Sequence, residues 1–197
     1  DDGAVDRSTN AVEDALTTAG YRVAPEKLYS LKAENQAAND AILNMIIDSG
    51  LKIKMAFPNA LRADMLEKED LALLKKAGVY MVTFAIETAS PRIQKIIRKN
   101  LDIDKVTENI NYAESIGLLV KGFFMLGFPG ETPEEIEQTI NFAVKSKLDL
   151  AHFFTVTPFP GTALRQLAKE TYPEWQDEAM YHYWPDKPFY QQATGFD

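Results

Sequence analysis

The feature that most constrains the fold is a short apolar run followed by a glycine–proline turn and a helix start. Residues 118–126 are mostly apolar, and Gly117 and Gly127 bound them. An apolar run this short, closed by turn residues at both ends, predicts a strand buried on both faces rather than a helix. Such strands are typical of parallel sheets covered by helices. The sequence therefore predicts an α/β fold.

The helix after this turn has a complete start signal. Thr132 can act as the N-cap, Pro133 suits the first helical position, and Glu135 completes a capping box. Apolar residues at helical spacing, from Ile136 to Val144, would pack this helix back on the strand. The turn at 127–131 should then open at the carboxyl end of the strand, where ligands bind in parallel α/β folds.

The same order of strand and helix recurs along the chain. Strands are predicted at 27–33, 51–57, 80–86, 118–126 and 148–157. Helices are predicted to start at Asn39, Asp64, Pro91, Asp104 and Thr132. The connections are too long for hairpins and favour right-handed parallel crossovers. We therefore predict an open parallel sheet of five strands with flanking helices.

Composition excludes several classes of function. The formal net charge of −8 argues against an extended nucleic-acid groove. No apolar run approaches the ~20 residues of a membrane span and no signal-like segment is present, which predicts a cytoplasmic protein. Cysteine is absent from all 197 residues, so this chain cannot form disulfides or thiolate-ligated metal sites from its own residues.

The pattern changes after residue 162. Residues 163–197 begin with a predicted helix and continue into a segment rich in tyrosine, tryptophan and phenylalanine. These rings could form a binding surface, but packing across the outside of the sheet is the more common arrangement. The sequence thus predicts two regions, 1–162 and an aromatic-rich C-terminal extension at 163–197.

Polar and glycine residues follow the predicted strands. They are Glu34, Asn35, Asn59, Arg62, Glu87, Ser90, Gly127, Glu131 and Thr157. Parallel strands bring their carboxyl ends to one rim, and a rim with these groups suits a ligand that carries amine and diol functions. Each residue alone also has a plain structural interpretation, such as turn chemistry or a surface ion pair.

Four segments resemble the later half of a radical S-adenosylmethionine (SAM) core, and most closely its cobalamin-binding branch. They are FPNALRAD at 57–64, FAIETASP at 84–91, GFFMLGFPGET at 122–132 and TPFPGT at 157–162. The resemblance implies that residues 1–162 are an incomplete (β/α)6, TIM-barrel-like core without the first strand and cluster loop. Upstream, two registers stay open. Either 7–14 is the first helix and 33–35 ends the second strand, or 1–3 ends that strand and 4–40 is partly an insertion.

The resemblance also implies cofactors and contacts. In this superfamily a Cys-x3-Cys-x2-Cys loop holds a 4Fe–4S cluster, at which SAM is reductively cleaved to a 5′-deoxyadenosyl radical. By resemblance, Glu87 and Ser90 would contact the ribose or amine of SAM, and Lys99, or its neighbour Arg98, the methionine carboxylate. Met125, Leu126 and Gly127 would contact the adenine. Asn59, Arg62 and Pro158 would shape the margin. A complete enzyme would hold the cluster and, in the cobalamin-binding branch, cobalamin.

The absence of cysteine leaves three interpretations open. The chain is a radical SAM enzyme fragment that is inactive alone, or a half-barrel binding or scaffold module without chemistry. The third interpretation is an aldolase-like or phosphate-binding barrel fragment, which Glu131 disfavours because its charge would lie beside the phosphate. His152 and His182 cannot replace three thiolates. The expected partners are a small-molecule cofactor and either the missing N-terminal part or a second copy joined through open sheet edges.

Overall fold

Four parallel strands form the sheet in residues 39–175, the part of the chain that the computed structural model describes. The strands are β1 (Met55–Ala56), β2 (Val79–Glu87), β3 (Leu119–Leu126) and β4 (Leu150–Thr155). They lie in the order β1-β2-β3-β4, so each strand pairs with the next one in the chain. This confirms the predicted parallel α/β fold. The strand predicted at 27–33, and Glu34 and Asn35 after it, lie outside the described residues.

Helices connect these strands and cover one face of the sheet. They are α1 (39–48), α2 (Lys68–Lys76), α3 (Pro91–Ile96), α4 (Ile103–Ser115), α5 (Pro133–Lys145) and α6 (Ala163–Thr171), with a 3-10 turn at Ala63–Met65. The main core joins Leu71 of α2 and Ile110 of α4 to Phe84 of β2 and Phe124 of β3. The result is a curled half-barrel with helices on its outer face. None of the helices in residues 39–175 has the length and apolar character needed to cross a bilayer.

The start of α5 is as predicted. The Thr132 hydroxyl accepts a hydrogen bond from the Glu135 N–H, and the Glu135 carboxylate accepts one from the Thr132 N–H. Pro133 occupies the first turn of the helix, where a backbone N–H has no acceptor within the helix, so its missing N–H costs no hydrogen bond. All the groups of this signal lie within one helical turn, so the local sequence suffices to specify it.

Two other predicted caps are wrong. Helix α2 is capped by Glu67 rather than Asp64, because Asp64 lies in the 3-10 turn, where its carboxylate binds Arg62. Helix α4 is capped by Asp102, which accepts from the Lys105 N–H, rather than by Asp104. In each case two acidic residues compete for the cap. The cap is the residue whose backbone is still extended, Glu67 for α2 and Asp102 for α4.

The prediction that β3 is buried on both faces is also wrong. Val120, Gly122 and Phe124 face the helices and are buried, whereas Leu119 on the other face is 47% exposed. A closed barrel would cover that second face with the strands opposite. The described sheet has four strands and stays open, so its inner face keeps contact with solvent.

Strand β4 forms the outer edge of the described sheet. All of its residues are exposed. Phe153 stacks on Phe124 with ring centroids 5.1 Å apart, and His152 stacks on Phe123 at 5.9 Å. His152 is thus part of an aromatic edge strand rather than of a buried core.

Candidate functional site

The carboxyl ends of the strands bring predicted site residues to the same end of the sheet. Glu87 is the last residue of β2 and pairs with Phe124 of β3, whose strand ends just before Gly127. Glu87 and Gly127 therefore lie at the same end of two adjacent strands. This is the placement expected from parallel pairing.

Glu87 and Lys99 form an ion pair at this end of the sheet. The Lys99 Nζ lies 2.8 Å from the Glu87 Oε1, and the two side chains are 18% and 23% exposed. Lys99 follows α3 and returns over the end of β2 to reach Glu87. Partial burial strengthens the attraction by limiting screening, while the open fraction leaves both groups accessible to a ligand.

The backbone of Glu87 has an unusual conformation. Its φ is +65°, and the Thr88 N–H donates to the Ile86 carbonyl at 2.9 Å, which closes a γ-turn around Glu87. The pairing register between β2 and β3 also shifts between Ala85 and Glu87. A non-glycine residue with positive φ in such a turn is strained, and this strain is typical of functional sites.

Arg62 reaches the same loop from the β1 side. Its guanidinium forms two hydrogen bonds with the Asp64 carboxylate, at 2.9 and 3.1 Å, and a third with the Lys99 carbonyl, at 2.8 Å. Arg62 therefore holds the backbone that carries Lys99. Asn59, also predicted at the margin, is exposed.

Ser90 is buried beneath the turn rather than open to solvent. It is 1% exposed and caps α3 by accepting from the Ile93 N–H. Its hydroxyl donates to the Glu135 Oε1 at 2.7 Å. The Arg92 guanidinium binds the same carboxylate and, as the largest cause, lowers the pKa of Glu135 to about 2. Ser90, Arg92 and Glu135 together tie the turn after β2 to α5.

The turn after β3 is closed by its own carboxylate. The Gly127 and Phe128 N–H groups donate to the Glu131 Oε2 at 2.6 and 3.0 Å. Glu131 is 3% exposed, and this burial raises its pKa. Because an internal carboxylate occupies these two amides, this turn is poorly suited to bind a phosphate. That argues against the phosphate-binding interpretation.

The remaining predicted contacts lie near this turn. Met125 and Leu126, at the end of β3, are half-buried, and Gly127 adopts φ +85°, which glycine reaches without strain. Pro158, after β4, is buried, and its carbonyl accepts from the Arg165 guanidinium at 2.9 Å.

Thr139 is a structural residue of the site that the motifs did not identify. Its hydroxyl accepts from the Ala89 N–H and contacts the Thr88 hydroxyl, both at 3.1 Å. It lies on the buried face of α5, between Ile136 and Ala143. A polar residue inside an apolar helical stripe was the signal available in the sequence.

Metal-binding groups are scarce in the described residues. No group of three or more histidine, cysteine or acidic side chains suited to a metal occurs within 39–175. His152 lies on the exposed edge strand, and His182 lies outside the described residues.

Comparisons with known proteins bear on this site. A sequence model of the radical SAM superfamily matches residues 21–143. The chain is 37% identical over 127 residues to an uncharacterized methyltransferase of Pyrococcus horikoshii, covering 62% of this chain and 28% of that protein. It is 36% identical over 106 residues to cytidylyl-2-hydroxyethylphosphonate methyltransferase of Streptomyces wedmorensis, covering 50% of this chain and 20% of that protein.

A solved structure has the same fold. The radical S-adenosylmethionine methyltransferase TsrM from Kitasatospora setae, with cobalamin and a 4Fe–4S cluster bound, superposes with a TM-score of 0.58 at 17% identity. The match covers 65% of this chain and 25% of that chain. This chain thus spans about a quarter of the length of these proteins.

Proposed function

Because the chain belongs to the radical SAM superfamily, we propose that it supplies part of the SAM site of a longer radical SAM enzyme. The observation that carries the proposal is the Glu87–Lys99 pair at the carboxyl end of β2, 2.8 Å apart and partly open to solvent. SAM presents hydroxyl groups, an amine and a carboxylate. A carboxylate beside an ammonium is chemically complementary to that set.

Each residue of the pair has capacity for a ligand. A carboxylate offers about four acceptor positions, so Glu87 can hold Lys99 and still accept from the ribose hydroxyls or the amine of SAM. An ammonium has three N–H donors, so Lys99 can hold Glu87 and donate to the methionine carboxylate. Met125, Leu126 and Gly127 would lie against the adenine, where the missing Cβ of Gly127 allows close approach.

Ser90 has a different role in this proposal. Because it is buried and donates to Glu135, we assign it to shaping the turn rather than to direct contact. Arg62, bonded to the Lys99 carbonyl, holds the loop in the same indirect way. Asn59 and Pro158 stay at the margin of the proposed site.

The donor set of this chain does not fit an iron–sulfur cluster. The 197 residues include no cysteine and two histidines, and thiolates are the ligands that such clusters require. We propose that the cluster ligands, and any cobalamin site, belong to parts of the longer enzyme outside this sequence. By itself the 197-residue chain would bind SAM weakly and leave it intact.

We propose methyl transfer as the reaction class of the longer enzyme. Two relatives at 37% and 36% identity are named methyltransferases, and the structure with the same fold is a radical SAM methyltransferase. In this proposal residues 1–162 are the partial core and residues 163–197 an extension of it.

A titration of the isotopically labelled chain with SAM, followed by NMR, tests the site. We expect the amide signals at 87–90 and 125–127 to shift, and Glu87→Ala and Lys99→Met to weaken binding about five- to tenfold. The matched control is Lys105→Met, which removes an ion pair of the same length, 2.8 Å, with Glu67. Equal losses in all three variants, or no shifts with wild type, would contradict the proposal.

A binding module without redox chemistry is the second candidate, and the absence of cysteine from the whole sequence favours it. Anaerobic reconstitution with iron and sulfide, followed by a strong reductant, tests the chain alone. We expect neither cluster iron nor 5′-deoxyadenosine, and stoichiometric amounts of both would show that our account of the missing thiolates is wrong. Reductant-dependent 5′-deoxyadenosine from the longer protein would separate the enzyme from the module.

A further inference from the structure

Gln94 is a buried amide on α3 that no motif in the sequence singles out. It is 3% exposed. Its Nε2 donates to the Ile86 carbonyl at 2.9 Å and to the Thr88 carbonyl at 2.6 Å, and its Oε1 accepts from the Leu101 N–H at 3.3 Å. The orientation of the amide follows from these partners, because two carbonyl oxygens need a donor between them.

The two carbonyls that Gln94 binds are those on either side of Glu87. Glu87 is held at φ +65° in the γ-turn closed by the Thr88 N–H and the Ile86 carbonyl. Such a conformation persists only when its surroundings over-determine it. The Ile86 carbonyl belongs to the peptide group before Glu87, and the Thr88 carbonyl to the peptide group between Thr88 and Ala89. By holding the backbone on both sides of Glu87, the Gln94 amide restricts the direction in which the Glu87 carboxylate points.

Gln94 also holds the segment that carries Lys99. The backbone carbonyl of Gln94 accepts hydrogen bonds from the Lys99 N–H at 3.0 Å and from the Asn100 N–H at 3.3 Å. Lys99 lies between Arg98 and Asn100, whose φ values are +54° and +47°. The amide oxygen of Gln94 then binds Leu101, just beyond this segment. One residue thus fastens the two strained backbone segments whose side chains meet in the ion pair.

We infer that Gln94 is a positioning residue that sets the Glu87 carboxylate and the Lys99 ammonium in the geometry with which they meet SAM. This inference rests on the proposed function. Gln94 itself touches no ligand in this scheme and acts through the backbone around Glu87. The Lys99 and Asn100 N–H groups are held by the backbone carbonyl of Gln94, which a side-chain substitution keeps. Removal of the side-chain amide should therefore alter SAM affinity mainly through Glu87.

The test compares Gln94→Met with wild type. Methionine keeps the unbranched shape and the packing but removes all three side-chain hydrogen bonds. We expect faster hydrogen exchange at the Thr88 amide and about tenfold weaker SAM binding in the NMR titration, the scale of a misplaced charge-assisted hydrogen bond. In a Glu87→Gly background, Gln94→Met should weaken SAM binding by less than about twofold.

The chain offers a matched control in Asn109. This buried amide on α4 likewise donates to two backbone carbonyls, those of Ala63 at 2.8 Å and Leu66 at 2.7 Å. Asn109→Leu should lower the free energy of unfolding as Gln94→Met does. It should leave SAM affinity within about twofold of wild type. Hydrogen exchange at the Thr88 amide should still require global unfolding rather than local opening of the turn.

The Glu87→Gly variant also keeps the inference testable if Gln94→Met alone does not fold. Glycine adopts positive φ without strain, so Glu87→Gly should restore folding to a Gln94→Met chain that does not fold alone. If wild type does not bind SAM, the proposed function fails. The positioning role of Gln94 can still be decided by two measurements: hydrogen exchange at the Thr88 amide, and the difference between the unfolding free energy of the double variant and the sum of the effects of Gln94→Met and Glu87→Gly. Additive effects at the two sites, or a Gln94→Met variant indistinguishable from Asn109→Leu, would overturn the inference.

Discussion

Glu135 shows how one carboxylate joins several elements of this fold. Its side chain accepts from the Ser90 hydroxyl at 2.7 Å, from the Arg92 Nε at 2.9 Å and from the Thr132 N–H at 3.0 Å. These donors belong to the N-cap and first turn of α3, which follow β2, and to the start of α5. Because all of them favour the charged form, with Arg92 the largest cause, the pKa of Glu135 falls to about 2.

This pKa predicts how stability depends on pH. The pKa of Glu135 in the folded state lies below the value of 4.5 for the unfolded group. The ionised Glu135 carboxylate therefore contributes its full stabilisation to the fold at pH values above 4.5. The contribution is lost as pH falls through about 2. We expect the unfolding free energy of wild type to exceed that of Glu135→Gln most above pH 5, and the difference to shrink towards pH 2.

Urea unfolding of both proteins across this pH range measures the effect. Glu137→Gln, which removes an exposed carboxylate of the same helix, serves as the control for the loss of one negative charge. A difference for Glu135→Gln that does not change with pH would contradict the assignment.

At the scale of elements, β3 shows how a strand is fitted between helices and neighbouring strands. Gly122 lies on its buried face. A Cβ at this position would lie 2.8 Å from the Phe124 ring and 2.8 Å from the Leu148 Cδ1. The absence of a side chain lets the Phe124 ring lie over the strand and join the core.

Gly122→Ala should therefore destabilise the protein through overpacking, by about 1–3 kcal/mol. Replacing Leu148 by alanine in the same chain removes one of the two close contacts, so the double variant should be more stable than the sum of the single effects predicts. Leu119→Ala, on the exposed face of the same strand, should cost less than Gly122→Ala. Denaturant unfolding of the four variants gives these differences, and strict additivity would argue against the steric cause.

At the scale of the whole molecule, the described sheet ends in an open edge. Leu150, Phe153 and Phe154 of β4 are 49%, 41% and 46% exposed. An exposed apolar edge strand offers unpaired backbone groups and apolar side chains to another chain. We therefore propose that this edge promotes contact with a partner or a second copy.

The chain should self-associate as its concentration rises, and Phe153→Lys should shift the equilibrium towards monomer. A charge on the edge strand disfavours strand pairing between chains. Sedimentation velocity over a range of concentrations measures this shift. Phe159→Lys is the control, because Phe159 is 59% exposed but lies outside β4. A monomer at all concentrations, or an equal shift with Phe159→Lys, would count against association through this edge.

The sequence by itself determined the features that act over a few residues. Thr132, Pro133 and Glu135 specified the start of α5, and Gly117, with φ +76°, specified the end of α4. The parallel direction of the strands followed from connections too long for hairpins. At the two helix ends the interacting groups are neighbours in the chain, so the local sequence is enough to specify them. For the strands, the length of the connections limits the possible directions, although the paired residues are far apart in the chain.

Only the tertiary structure decided which side chains meet. Asp64 and Asp104 were plausible caps, but Glu67 and Asp102 have the cap geometry. Ser90 binds Glu135 of α5, and Gln94 holds both ends of the Glu87 turn. Several polar residues in the sequence are chemically equivalent candidates for each of these bonds. The choice between them depends on the distance and direction between segments, and those are set by how the sheet and its helices pack.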